Sequence, residues 1–247
     1  MTELWLVGIG TGNPDHVTLE GRKALRQAAL VLIPRKGTDK ADLAELRHSI
    51  LRDCGSTAPV AEFDMPVRDD RLPYADRVRL WHDAIGRIWA DIIGRAGPRG
   101  PVALLVWGDP GLYDSTLRIA ARLEPCPRIR VVPGITALQA LTAAHAIPFN
   151  TVNGAVTVTT GRRLRDHGWP AGAETVAVML DGDCSFRILA KRDLCIWWGA
   201  FLGMPEELLI SGPLAETAPR IVAERALARE RHGWIMDTYL LRKVVRA

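Results

Sequence analysis

The sequence predicts an α/β protein built as two α/β domains, and three observations lead there. Short apolar runs bounded by turn residues alternate with stretches of helical periodicity. Three of those runs, ending near Ile9, Val106 and Val132, lead into loops rich in glycine and proline. After Ile147-Pro148-Phe149-Asn150 the rhythm becomes richer in strands, which sets the predicted domains at 1–149 and 150–247.

The elements follow in order. Leu4 to Ile9 is fully apolar and runs into Gly10-Thr11-Gly12-Asn13-Pro14, the pattern of a buried parallel strand feeding a loop. Thr18 can cap a helix reaching about Ala29, and Leu30 to Ile33 reads as a second strand stopped at Pro34. Leu43, Leu46 and Ile50 share one helical face. Between Leu72 and Ile93, Val78, Trp81, Ile85, Ile88 and Ile92 recur at helical steps, predicting a long amphipathic helix. Val102 to Val106 is a third buried strand, followed by a helix over Ser115 to Leu123, a strand over Ile129 to Val132 and a helix over Thr136 to Ala146. Strands are then predicted over Ala155–Thr160, Thr175–Leu180, Leu194–Trp198 and Leu208–Ser211, a helix over Ala215–Glu230, and a last strand over Trp234–Leu241.

Composition narrows the class. Of 247 residues, 48% are hydrophobic and 24% charged, outside the range of disorder and sufficient for a sizeable core. No apolar run is long enough to span a bilayer, and Leu4 follows the start without a basic leader region, so a cytoplasmic protein with no membrane partner is expected. Cys54, Cys126, Cys184 and Cys195 lack disulfide or zinc spacing and are expected to be buried, reduced thiols, with no metal. The net charge of +4 is concentrated at Arg35-Lys36, Arg162-Arg163-Arg165 and Arg220 to Arg231, which favours acidic ligands. An aromatic-interleaved basic stretch is missing, so no nucleic-acid partner is expected.

In a parallel sheet ligands sit beyond the carboxyl ends of the strands, so the loops Gly8–Pro14, Gly108–Ser115 and Pro133–Ala137 are expected to line one crevice. A dinucleotide site is disfavoured: Gly8-x-Gly10-x-x-Asn13 lacks the third glycine, and the second strand ends in Pro34-Arg35, not in an acidic ribose ligand. Phosphate-loop, zincin and esterase signatures are missing as well.

Taken together, three segments resemble the class III, or tetrapyrrole, methylases. Val7-Gly8-Ile9-Gly10-Thr11-Gly12-Asn13-Pro14-Asp15 looks like that family's first glycine loop, Gly108-Asp109-Pro110-x-x-Tyr113 like its second, and Val132-Pro133-Gly134-Ile135-Thr136-Ala137 like its third. The resemblance continues through Thr159-Thr160-Gly161-Arg162-Arg163-Leu164, Met179-Leu180-Asp181-Gly182-Asp183-Cys184 and His232 to Tyr239, covering essentially the whole chain. One departure is Trp107 where many relatives carry a glycine, and its side chain either packs into the core or walls the cleft.

The resemblance implies the tetrapyrrole methylase fold, two α/β domains with the methyl-donor site in the cleft between them, and a homodimer. It implies S-adenosyl-L-methionine as donor, S-adenosyl-L-homocysteine as product, and methylation of carbon 1 of precorrin-5 with loss of an acetyl group as acetate. Donor contacts would fall on Pro14, Trp107, Gly108, Asp109, Leu112, Thr136, Ala137 and Met179. Arg162 and Arg163 would meet the carboxylate arms of the small tetrapyrrole substrate. Loss of the acetyl group calls for a base and an oxyanion donor, and Tyr113, Asp114 and Asp183 lead a shortlist that also holds His145 and Asp181. The alternatives are another precorrin methylase acting at a different ring carbon, or an RNA or protein methyltransferase of the same fold.

Overall fold

The computed structural model describes residues 3–35 and 41–244, in two compact units, Met1–Thr136 and Ala137–Ala247. The first unit holds β1 (Glu3–Gly8), α1 (Leu19–Gln27), β2 (Leu30–Arg35), α2 (Ala41–Asp53), β3 (Val60–Asp64), α3 (Tyr74–Ala96), β4 (Val102–Val106), α4 (Thr116–Ala120) and β5 (Arg128–Val132). Its five strands lie in the order β3-β2-β4-β1-β5, every pair parallel.

Strand alternation sorts the core. Trp5, Val7, Ile33, Ala103 and Leu105 face α1 and α2, meeting Ala24, Leu25, Ile50 and Leu51. Leu4, Leu6, Leu32, Val102, Leu104 and Val106 point the other way, onto Ile85 and Trp89 of α3 and Ile119 and Ala120 of α4. Burial on both faces explains why β1 and β4 read as unbroken apolar runs. Gly8 is in register with Val106, and Val7 with Val132, so the three strands reach the carboxyl edge of the sheet together.

Local chemistry caps the helices, at Thr18 as expected and at Gly97, beyond the Ile93 end read from the sequence. Thr18 accepts a hydrogen bond from the Gly21 N–H at 3.0 Å and caps α1. Gly97, at φ 53°, closes α3 through its N–H to the Ile93 carbonyl. β2, in contrast, does not stop at Pro34. Its pairing with β4 ends at Leu32, and beyond that point it is paired with β3 alone, where a missing proline N–H is tolerated. α4 is shorter than predicted, ending at Ala120.

The second unit holds α5 (Ala137–Ala144), β6 (Val156–Thr160), α6 (Gly161–His167), β7 (Thr175–Met179), β8 (Leu194–Ala200), β9 (Leu208–Pro213), α7 (Leu214–His232) and β10 (Asp237–Lys243). Its sheet runs β6-β7-β10-β8-β9; β6 and β7 are parallel and the remaining pairs antiparallel. The units divide between Thr136 and Ala137, earlier than the predicted boundary after 149. The physical reason is α5, which buries Ala140 and Leu141 against Leu202 and Leu240 of the second unit.

Cys54 and Cys184 are buried, but Cys195 is half-buried and Cys126 exposed, a correction to the expectation that all four lie inside; all are free thiols. No helix among the described residues is long and apolar enough to cross a membrane.

Candidate active site

The three glycine loops of the first unit are knitted together by backbone. Ile9 N–H donates to the Val106 carbonyl at 2.9 Å, and Gly10 and Gly108 form a bridge through Gly108 N–H to Gly10 O at 2.7 Å. A Cβ on Gly134 would lie 2.1 Å from the Gly108 carbonyl oxygen and 2.8 Å from the Gly8 Cα. A Cβ on Gly8 would meet the Gly134 nitrogen at 2.6 Å. Glycine is required at both positions because three backbones meet with no room for a side chain.

Asp109 locks this arrangement. Its Oδ2 accepts from the Gly134 N–H at 2.9 Å and its Oδ1 from the Gly111 N–H at 2.7 Å, so both carboxylate oxygens hold loops. The second loop turns further through Leu112 N–H to the Asp109 carbonyl. The first loop has its own ties. Asn13 Oδ1 accepts from Asp15 N–H, the Pro14 carbonyl accepts from Arg22 Nη2 at 2.8 Å, and Thr11 Oγ1 bonds His16 Nδ1 at 2.9 Å.

Trp107 resolves the choice left open by the sequence: its ring packs against the core under α1 and α2, with the Arg47 guanidinium 4.9 Å from the ring centroid. Tyr113 is 41% exposed and held at φ 49°, an unusual backbone for a tyrosine at a loop tip. Beside it, Asp114 Oδ1 accepts from the Thr116 N–H at 2.6 Å and from the Thr116 hydroxyl, turning the chain into α4 from just ahead of its N-cap Ser115.

Thr136 is the last residue of the first unit and Ala137 the first of α5; Met179, Arg162, Arg163 and Asp183 sit in the second unit, at or just beyond the carboxyl ends of its parallel pair. Met179 ends β7, half-buried and in register with Thr160 of β6. Thr160 Oγ1 caps α6 by accepting from the Arg163 N–H, and Arg162 and Arg163 are exposed on its first turn. Asp183 is exposed and ion-paired with Arg165. Of the basic clusters, Arg35 is likewise paired, with Asp64 and Glu62; Lys36 lies outside the described residues.

Two shortlisted groups have structural partners. Asp181 is buried, accepting from Ser185 N–H, Ser185 Oγ, Asp183 N–H and the Tyr239 hydroxyl, so its lone pairs are occupied. Burial first, then the adjacent Asp181, lifts the Tyr239 phenol well above its usual range and keeps it a donor. His145 Nε2 reaches the Trp198 carbonyl at 3.0 Å; a carbonyl only accepts, so that nitrogen carries the proton. Sequence reasoning missed Arg47, whose flanking Leu46 and Ile50 marked it only as helix, and it missed the half-buried Arg225–Asp237 pair, 2.9 Å apart.

A parallel sheet whose glycine loops meet at its carboxyl edge has a counterpart in a known family: residues 3–218 match the Tetrapyrrole (Corrin/Porphyrin) Methylases, and the chain belongs to that family. Over 251 aligned residues it is 43% identical to the precorrin-6A synthase [deacetylating] of Sinorhizobium sp, covering 98% of this chain and 96% of that protein. The crystal structure of a cobalamin synthesis related protein (CobF) from Corynebacterium diphtheriae superposes with a TM-score of 0.84 at 37% identity, covering 99% of this chain and 100% of that one. A uroporphyrin-III C-methyl transferase from Thermus thermophilus, solved with S-adenyl homocysteine, shares the fold at a TM-score of 0.63 and 19% identity, over 99% of this chain and 93% of that one.

Proposed function

We propose that this chain transfers a methyl group from S-adenosyl-L-methionine to carbon 1 of precorrin-5 and releases the acetyl group as acetate, giving precorrin-6A. The observation that carries this reading is the 43% identity, across nearly the full length of both chains, to a deacetylating precorrin-6A synthase.

The loops fit the donor. The Asp109 carboxylate is committed to backbone N–H groups, and the other donor-contact positions of the first unit, Pro14, Trp107, Gly108, Leu112 and Thr136, are uncharged. Such a surface suits a neutral adenosine held largely by backbone groups. The donor supplies a methyl group on a sulfonium and leaves as S-adenosyl-L-homocysteine. Displacement at that carbon needs alignment more than proton transfer, and rigid loops provide alignment.

Acetyl loss makes a different demand. Water adds to the acetyl carbonyl, the bond from that carbon to the ring breaks, and acetate departs while the ring keeps the electron pair, which takes the methyl group from the donor's sulfonium. In this reading the Tyr113 hydroxyl donates to the developing oxyanion, and Asp114 or Asp183 takes the proton from water. Arg162 and Arg163 meet the carboxylate arms of the substrate. The protein works in the cytoplasm as a homodimer, without nucleic acid.

The test is stoichiometric: purified protein given precorrin-5 and donor should yield S-adenosyl-L-homocysteine and acetate in equal amounts. Homocysteine product without acetate would move the enzyme to another ring carbon.

A further inference from the structure

Arg47 of α2 is only 7% exposed, yet it carries a full charge at the carboxyl edge of the parallel sheet. Its Nε reaches the carbonyl oxygen of Leu105, the last-but-one residue of β4, at 3.4 Å, and its Nη1 reaches the Leu43 carbonyl at 2.9 Å. The guanidinium carbon lies over the Trp107 ring, 4.9 Å from its centroid, immediately ahead of the second glycine loop. Carbonyls and an indole face orient a cation without neutralising it. Among the described residues no carboxylate stands within ion-pair distance of Arg47, in contrast to Arg35, Arg165 and Arg225.

A buried cation is normally paired, because removing it from water without a counter-charge is costly. Burial draws the guanidinium down to about 10, and the charge of Asp114 opposes that shift, so Arg47 is a cation throughout the neutral range. Asp114 does not serve as its partner, because its carboxylate is turned onto Thr116. The fork is therefore held in place, with no anionic partner among the described residues.

We propose that Arg47, clamped by Leu105 and Trp107 at the mouth of the second loop, recognises a carboxylate of a bound ligand. This assignment rests on the methyl-transfer reading of the site. Two carboxylates are chemically equivalent here: that of the donor's amino-acid end and that of a tetrapyrrole side arm. A planar guanidinium takes either in the same two-point fashion, which a lysine cannot reproduce.

The test compares wild type with Arg47→Met and Arg47→Lys, using calorimetric affinities for S-adenosyl-L-homocysteine and for 5′-methylthioadenosine, which lacks the carboxylate, together with KM for precorrin-5. If Arg47 holds the donor, both variants lose at least ten-fold in affinity for the homocysteine compound and stay within about two-fold for methylthioadenosine. If it holds the tetrapyrrole, both donor-site affinities stay put and KM rises at least ten-fold. Three unchanged values, or equal losses for both nucleosides, would overturn the assignment and leave Arg47 as a prop for the loop. Wild type that binds nucleoside but does not turn over precorrin-5 would defeat the functional reading, and the two nucleoside affinities alone would then decide the role of Arg47.

Discussion

The Gly134 N–H donates to Asp109 Oδ2 at 2.9 Å, joining two glycine loops that lie 25 residues apart in sequence. Since Asp109 Oδ1 holds Gly111 as well, one carboxylate sets the spacing of the second and third loops. Asp109→Asn keeps the shape but turns an amide NH₂ toward a backbone N–H. We expect a stability loss of about 1–3 kcal/mol in urea unfolding, together with at least ten-fold weaker binding of S-adenosyl-L-homocysteine by calorimetry. Unchanged affinity would mean that the loops keep their spacing without this contact.

Gly134→Ala places a methyl group 2.1 Å from the Gly108 oxygen. The loops must separate, at a cost of about 1–3 kcal/mol or more, and donor binding should be lost. Gly94→Ala is the control: on the exposed face of α3 its Cβ meets nothing within 4 Å, so it should leave binding intact and raise the melting temperature slightly.

The Arg225–Asp237 pair yields a pH prediction. Burial lifts the Asp237 carboxyl above its ordinary 3.8, outweighing the hydrogen bond from Arg225. Burial works against the Arg225 cation too, but its hydrogen bond to Asp237 and that residue's charge more than offset this, and its value rises. Arg225→Ala leaves an unpaired carboxylate in the interior and should cost about 3–5 kcal/mol at pH 8. With its partner gone, Asp237 rises further. A carboxyl whose folded value exceeds its unfolded one contributes stability that is fully present below the unfolded value and is lost as pH climbs through the folded one. The deficit should therefore shrink between pH 8 and pH 5, as urea melts at the two pH values would show. A deficit that grows on acidification would refute this account of the pair.

Tyr113→Phe and Asp114→Asn separate donor binding from acetyl loss. An asparagine oxygen can make the same two-residue turn contact to the Thr116 N–H, so Asp114→Asn should fold with a loss under about 1 kcal/mol. Affinity for S-adenosyl-L-homocysteine should persist in both variants while acetate release slows at least ten-fold. Asp183→Asn belongs in the same series because it removes the third proposed group and its pairing with Arg165. Wild-type acetate release in all three would remove these residues from the deacetylation step.

Much of the fold was legible because β1, β4 and β7 are buried and largely apolar along their lengths, and because Thr18 carries recognisable cap chemistry. β3 escaped because an edge strand with Phe63 as its one buried side chain shows no apolar run. α6 escaped for a related reason: only Gly161 and Leu164 of its seven residues are buried, so charge masks its periodicity. In the site, glycine spacing located the loops, but it could not show that Asp109 spends its carboxylate on Gly134. Nor could it show that Arg47, buried among helical neighbours, faces Trp107. Both are long-range contacts set by how the strands align, and local pattern carries no trace of them.

The central claim is settled most directly by supplying precorrin-5 with donor labelled at the transferable methyl group and following tetrapyrrole and acetate by mass spectrometry and NMR. The account predicts label on ring carbon 1, a tetrapyrrole that has lost its acetyl group, and unlabelled acetate in equal amount. Label at another carbon with the acetyl group retained, or no label while S-adenosyl-L-homocysteine still binds, would contradict it.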